Sequence, residues 1–359
     1  MKFFGTGTAV EFRRRARLVS SAVALGLVAV ASDPRPAVAD QGGISFWLPG
    51  AFGSLAAVPG HPGWSLGAIY VHASVDGGGD VAASRAIRFG NRTTNLTVNL
   101  DAELKAKVDF GLLAPGYTFA QPVLGGQLTL SALFVYGRQQ ANIDANITGA
   151  LGPIGFAASR SIERDLTNFG DIFPQATLKW NYGVHNTMVY GMMNIPVGAY
   201  DANRLVNLGL GHWAVDGGYG YTYFNPQTGY EFSAVTGLTY NFENTDLNYK
   251  NGIDWHLDWG ASKFLTKQLH VGLVGYAFQQ ITADSGPGAT LGDFKSRVFA
   301  VGPQIGYLFP VGDMQGYVNL KGYWEFEAEH RPEGWNVWLT LSIAPGAPPP
   351  QQASRMIRK

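Results

Sequence analysis

Asp254, His256 and Asp258 occupy alternate positions, the spacing that places three side chains on one face of a β-strand. A histidine flanked by carboxylates can act as a general base or help ligate a metal. Neighbours on one strand face lie about 6.7 Å apart, too far for direct mutual hydrogen bonds without help from rotamers. A single strand also supplies no nucleophile. Glu231 and Ser233 share the inward parity of the preceding segment, so a hydrolase of the Asp/Ser/His kind requires Ser233 to reach His256. The favoured reading is a polar ladder along a lumen, with no catalytic residue, metal site or cofactor.

A second constellation is larger. Between Leu96 and Leu112, Leu100, Ala102, Leu104, Ala106, Val108 and Phe110 alternate with Asp101, Glu103, Lys105, Lys107 and Asp109. One face is wholly apolar and the other charged over about 17 residues, roughly 55 Å of extended chain. An ordinary strand runs about 5 or 6 residues. So long an amphipathic strand fits a closed membrane barrel, because lipid cannot satisfy open sheet edges. The expectation is an oily face toward lipid and Asp101, Glu103, Lys105, Lys107 and Asp109 in the lumen, beside Glu231, Asp254, His256, Asp258, Lys321 and Glu325. Charges of both signs there would close the lumen with salt links or set a transverse field in a narrow pore.

Period-two segments between turn signals give twelve strands, near 64–75, 94–112, 124–140, 173–182, 185–197, 211–224, 229–242, 252–265, 268–282, 297–309, 314–328 and 335–343. Connections alternate between short turns, such as Tyr182-Gly183-Val184 and Pro310-Val311-Gly312-Asp313, and longer polar loops, the longest being 141–172. A further hairpin within 142–161 would raise the count to fourteen. The fold class expected is therefore all-β, a transmembrane antiparallel barrel with short periplasmic turns and long extracellular loops.

The composition agrees with a turn-rich β protein: 47 glycines, 13% aromatic residues and no cysteine among 359 residues. Lacking cysteine, the chain has no disulfide, thiol chemistry or thiolate-bound metal. A net charge of +0 with no basic aromatic cluster gives no reason to expect nucleic acid. Gly286, Gly288 and Gly292 do not join a strand to a helix, so no phosphate cradle is expected.

At the N-terminus, Arg13, Arg14, Arg15 and Arg17 precede an apolar run from Leu18 to Ala31, and Ala37-Val38-Ala39 reads as a small-residue cleavage site. Residues 1–39 are thus expected to be a signal peptide, and the chain an outer-membrane protein of a Gram-negative bacterium. The barrel is expected over 64–343 and a disordered proline-rich tail over 344–359. Residues 40–63 are punctuated by Gly and Pro and too irregular for a strand. With Phe46, Trp47, Leu48 and Phe52, they would form either a hatch in the lumen or an ordered periplasmic arm.

Several segments carry a family likeness: Phe169-Gly170-Asp171-Ile172, Trp213-Ala214-Val215-Asp216, Gly229-Tyr230-Glu231-Phe232-Ser233, Asn241-Phe242-Glu243-Asn244, His256-Leu257-Asp258-Trp259 and Leu291-Gly292-Asp293-Phe294. They resemble the outer-membrane family named for the meta-pathway of phenol degradation. The resemblance implies a transporter akin to the uptake channels for fatty acids and aromatic hydrocarbons, with an N-terminal hatch and no shared catalytic set. Its partners would be a small hydrophobic or aromatic ligand, the lipid bilayer and the outer-membrane assembly machinery. The chain departs from the usual barrel pattern in running past its last strand to Arg358-Lys359 rather than ending on an aromatic residue. Rival readings are a general diffusion porin, an outer-membrane hydrolase and a structural or adhesion barrel.

Overall fold

The computed structural model describes residues 45–78, 96–151, 154–289 and 295–347, all within one compact unit. The expected signal peptide, Gly292 and the tail beyond 347 lie outside the described residues. Twelve strands follow in chain order: β1 (Gly63–Gly78), β2 (Leu96–Thr118), β3 (Gln127–Leu151), β4 (Ile154–Tyr182), β5 (His185–Asn194), β6 (Ala214–Asn225), β7 (Tyr230–Asn241), β8 (Asp254–Phe264), β9 (Leu269–Gln280), β10 (Arg297–Val311), β11 (Met314–Glu329) and β12 (Glu333–Pro345). Each pairs antiparallel with its sequence neighbours, and β1 pairs with β12 from Leu66↔Ile343 to Asp76↔Glu333, closing the barrel.

Two hairpins show how the turns are made. Gly183 and Gly312 open the tight β4–β5 and β10–β11 turns at φ of 72° and 59°, and neither has a neighbour within 4 Å of where a Cβ would stand. What selects glycine there is backbone conformation rather than space, since a first turn residue at positive φ matches the twist of the flanking strands.

The twelve-strand expectation holds, and the fourteen-strand alternative does not. After a bulge at Gly170-Asp171, β3 and β4 pair without a further shift from Tyr136↔Phe169 to Leu151↔Ile154, so the expected loop 141–172 is mostly the upper part of one tall hairpin. β2 likewise continues through the expected 113–123 connection to Thr118. Alternation is weak along the β3–β4 extension because it stands beyond the lipid, where neither face is obliged to be apolar. β12 reaches two residues into the expected tail.

One expectation is reversed. Phe110 and Leu112 are buried in the cluster that fills the barrel, whereas Leu113, of the opposite parity, is 54% exposed. Glu103, Lys105, Lys107 and Asp109 share the parity of Leu113, so they lie on the outer face of the wall. There Asp109 accepts hydrogen bonds from Tyr70 (2.6 Å) and pairs with His72 (2.7 Å), while Lys105 pairs with Glu103 (3.0 Å). Asp101 belongs to β2, but its side chain lies outside those described. The charges do face water, as they must, but it is the water above the bilayer: β2, β3 and β4 run 23, 25 and 29 residues, against 10 to 12 in β5 to β9. On β2 the inner face of this projecting wall is apolar, with Leu104 opposite Ile143 and Ala106 opposite Ala141 on β3, but Val108 stands opposite Gln139, and β4 brings Arg164 to the same face opposite Ala141.

Lower on the barrel the outer surface is apolar. Leu66, Leu130, Leu238, Leu273, Ile305, Leu320 and Leu339 are exposed there. Trp64, Tyr182 and Tyr230 mark the short-turn end of this band, and Tyr136, Phe169 and Trp324 the other. Aromatics flanking an apolar belt are what membrane interfaces favour. Replacing Leu339 by Arg is expected to cost about 2–4 kcal/mol of folding free energy in vesicles, whereas Lys107→Leu should change it by less than about 1 kcal/mol. Urea-dependent refolding measures both, and an equal cost would contradict the placement of the lipid band.

Candidate functional site

Residues 45–62 form turns and bends inside the barrel and join β1 at the short-turn end. Inside a barrel their amides have no strand to pair with, so the lumen's side chains provide the partners. Near the long-loop end Phe46 packs on Phe173, with ring centroids 5.7 Å apart. Trp47, 1% exposed, stacks on His256 at 3.6 Å and 12°. The turn Gly50-Ala51-Phe52 is then gripped from β8 and from β11, three strands further round the barrel. Asp258 accepts from the Gly50 amide (3.0 Å) and the Phe52 amide (2.9 Å). Lys321 donates to the carbonyls of Gly50 (2.6 Å), Phe52 (3.3 Å) and Ala51 (3.4 Å). Gly50 lies at φ 91°, and a Cβ there would meet the Tyr323 ring at 3.0 Å, so both conformation and room require glycine.

Toward the short-turn end the grip continues. Ser54 Oγ bonds Ser262 (2.7 Å) and accepts from Gln304 (2.7 Å). The Leu55 amide donates to Glu231 (2.9 Å), the Ala57 amide to Thr222 (3.0 Å), and Lys179 donates to the Val58 carbonyl (3.3 Å). Most of these bonds take the segment's backbone, which no residue pattern reveals. For that reason parity alone does not mark Lys179 and Thr222, and Gln304, which shares the inward parity, bonds the Ser54 side chain instead.

Asp254, His256 and Asp258 all point inward, as does Glu231, but each serves a different partner. Asp254 accepts from Asn241 (3.0 Å). His256 Nε2 lies 3.0 Å from Asp216, which also accepts from Tyr190 (2.7 Å) and Thr239 (2.5 Å). Ser233 donates to Glu231 (2.5 Å) and bonds Thr222 (2.7 Å), so the hydrolase geometry, Ser233 on His256, is not formed. Glu325 also faces inward, accepting from Tyr276 (2.6 Å) and the Gly334 amide (2.9 Å). Asp216 was missed as a lumen group, though it alternates with outward Val215 and Tyr219.

The long-loop end is narrowed by the connection 195–213, which folds inward. Buried Asp171 pins it by accepting from the amides of Gly198 and Leu210 (each 2.8 Å) and from Asn194 (3.0 Å). His212 is buried with Nδ1 3.2 Å from the Leu210 carbonyl and Nε2 3.4 Å from Asn241 Oδ1, and burial pushes its imidazole down to about 4. Between this loop, the 45–62 segment and the foot of the wall lies a narrow, partly open cleft whose lining includes Phe46, Leu48, Phe110, Val135, Phe173 and Leu208, with Ser45, Gln139 and Asn207 as its polar members.

A closed antiparallel barrel with an apolar belt, aromatic margins and a filled polar lumen is an outer-membrane β-barrel. Residues 68–341 match the family described as "Putative MetA-pathway of phenol degradation", and the chain belongs to that family. Its fold is similar to that of an outer membrane channel from Pseudomonas putida F1, with a TM-score of 0.58 at 15% identity over 80% of this chain and 97% of that one. OccK7 of Pseudomonas aeruginosa aligns over 79% of this chain and 99% of its own at 8% identity, but its TM-score of 0.27 carries no argument. A comparison with curated proteins gives no match.

Two predictions follow from this geometry. Asp258→Asn should weaken the grip on Gly50 and Phe52 by about 2 kcal/mol, raising the released population roughly 30-fold. Hydrogen exchange at those two amides reads this directly, and a change under twofold would show that the carboxylate does not hold the segment. The second concerns acid. An unpacked loop protonates His212 near 6.5 but the packed one only near 4, so packing of 195–213 is undisturbed above 6.5 and weakens as pH falls toward 4, by at most about 3 kcal/mol. Exchange protection corrected for intrinsic rates should fall across that window in the wild type and stay flat in His212→Gln.

Proposed function

We propose that the chain is a plugged channel for passive passage of small hydrophobic or aromatic compounds across the outer membrane, with residues 45–62 as the plug and the long-loop rim outward. The observation that carries this reading is the backbone grip on Gly50-Ala51-Phe52: it fills the lumen with a segment that continues into the wall at Gly63 and, among the described residues, is otherwise held by hydrogen bonds and ring stacking. The apolar cleft above it and the family's description, which refers to phenol degradation, support an aromatic ligand. The chain is proposed to have no catalytic role. Its action requires no energy source, because binding lowers the barrier and the gradient drives the flux.

The lumen around the plug also has a sign. Asp216, Glu231, Asp254 and Asp258 come from the adjacent strands β6, β7 and β8, flanked round the barrel by Lys179 on β4 and Lys321 on β11. Without the plug this arc would face water and attract cations. In a planar bilayer the full-length chain should be nearly silent, and the chain lacking 45–62 should show a large, steady, cation-selective conductance that Asp258→Asn with Glu231→Gln reduces. A steady large conductance from the intact chain would instead identify a diffusion porin, and equal conductance with and without 45–62 would remove the plug from the account.

A further inference from the structure

Residues 119–126 join β2 to β3 at the short-turn end, and within them Val123 and Gly126 close a two-residue turn with a pair of 2.8 Å backbone hydrogen bonds. In the β4–β5 and β10–β11 turns the first central residue is a glycine, Gly183 or Gly312. Here it is Leu124, at φ 50°, followed by Gly125 at φ 75°. A turn with both central residues at positive φ normally takes Asn, Asp or Gly at the first, because a larger side chain's Cβ crowds the following carbonyl. Leu124 is also 85% exposed, more than any other large apolar side chain among the described residues. In water the residue would lose twice, by a strained backbone and by an uncovered side chain. Strain held at such a position points to a function for it.

The turn folds back on the outer face of the barrel. Trp180 Nε1 donates to the Leu124 carbonyl (3.1 Å), and a Cβ on Gly126 would meet the Trp180 ring at 2.7 Å and Leu178 at 3.0 Å. Trp180 stands one pleat inside Tyr182, which marks the margin of the lipid band. A tryptophan at a membrane interface turns its N–H to water or headgroups. Here a backbone carbonyl takes it, and Val123 and Gly126 satisfy each other's amides and carbonyls, as an environment poor in partners requires. Exposed Val123 continues the apolar surface toward Leu130 of the band. We propose that the tip Val123–Gly126 is inserted into the acyl chains of the leaflet at the short-turn end, with Leu124 as the side chain that enters lipid. The partner is the lipid surface itself, and the inserted turn fixes the depth of the barrel on its β2–β3 side. This holds whatever the plug does and whatever passes it.

The chain contains no cysteine, so a single introduced one reports its own surroundings. Leu124→Cys and, as an aqueous reference at the exposed β10–β11 tip, Asp313→Cys are labelled with an NBD fluorophore on the full-length chain and refolded into phosphatidylcholine vesicles prepared with and without iodide. Lipid brominated at the upper acyl carbons should quench the Leu124 label by about twofold or more and the Asp313 label by less than about 1.2-fold. Iodide should quench the Leu124 label roughly fivefold less efficiently than the Asp313 label. Val123→Cys, with the same expected contrast, serves if the Leu124 variant fails to show the gel-mobility shift of a folded barrel. A Leu124 label that iodide quenches as readily as the Asp313 label overturns the proposal and leaves a wet turn. Shielding from iodide without quenching by brominated lipid overturns it in favour of a protein contact, which loss of shielding on about tenfold dilution of protein in lipid would identify as a second copy.

Discussion

Hydrocarbon offers no hydrogen-bond partner, and the closure of β1 on β12 answers that constraint for the whole structure. Once the ring is closed, every wall residue at the depth of the lipid faces either lipid or lumen, and most polar groups of the lumen find their partners there. The same constraint bears on residues 45–62. Their peptide groups are enclosed without a strand to pair with, and the lumen's charged groups are enclosed without bulk water. Asp258 and Lys321 meet both needs at once, one taking amide protons and the other giving protons to carbonyls. Removing either partner leaves the other's buried group unsatisfied, which is the costlier side of hydrogen-bond energetics.

Strand existence was legible in the sequence because period-two alternation and turn glycines are local signals. Asp254, His256 and Asp258 were placed on the inward face for the same reason. The β2 reversal shows the limit of that signal. Alternation distinguishes two faces but does not say which of them meets lipid, and the answer depends on height along the barrel axis. At Leu113 the outward position meets lipid, whereas two turns of the pleat further on, at Asp109 and Lys107, it meets water. The extended β3–β4 hairpin was hidden by the same circumstance, since wet faces impose no pattern.

The interior site was less legible. Charged residues with inward parity announced that a lumen existed but not what they held, because most of their partners are backbone atoms of a distant segment. The inward fold of 195–213 depends on Asp171 accepting amides some 30 to 40 residues away, which spacing along the chain does not disclose.

On the wall formed by β2, β3 and β4 it is β2 that turns an apolar strip toward the axis above the rim, with Leu104, Ala106 and Val108 descending to Phe110 and the cleft. For an apolar ligand of the kind proposed, a collision anywhere along this strip would give weak adhesion and movement along it. Its search for the cleft would then be diffusion along a line instead of through a volume, so the effective target would be the length of the strip rather than the width of the mouth.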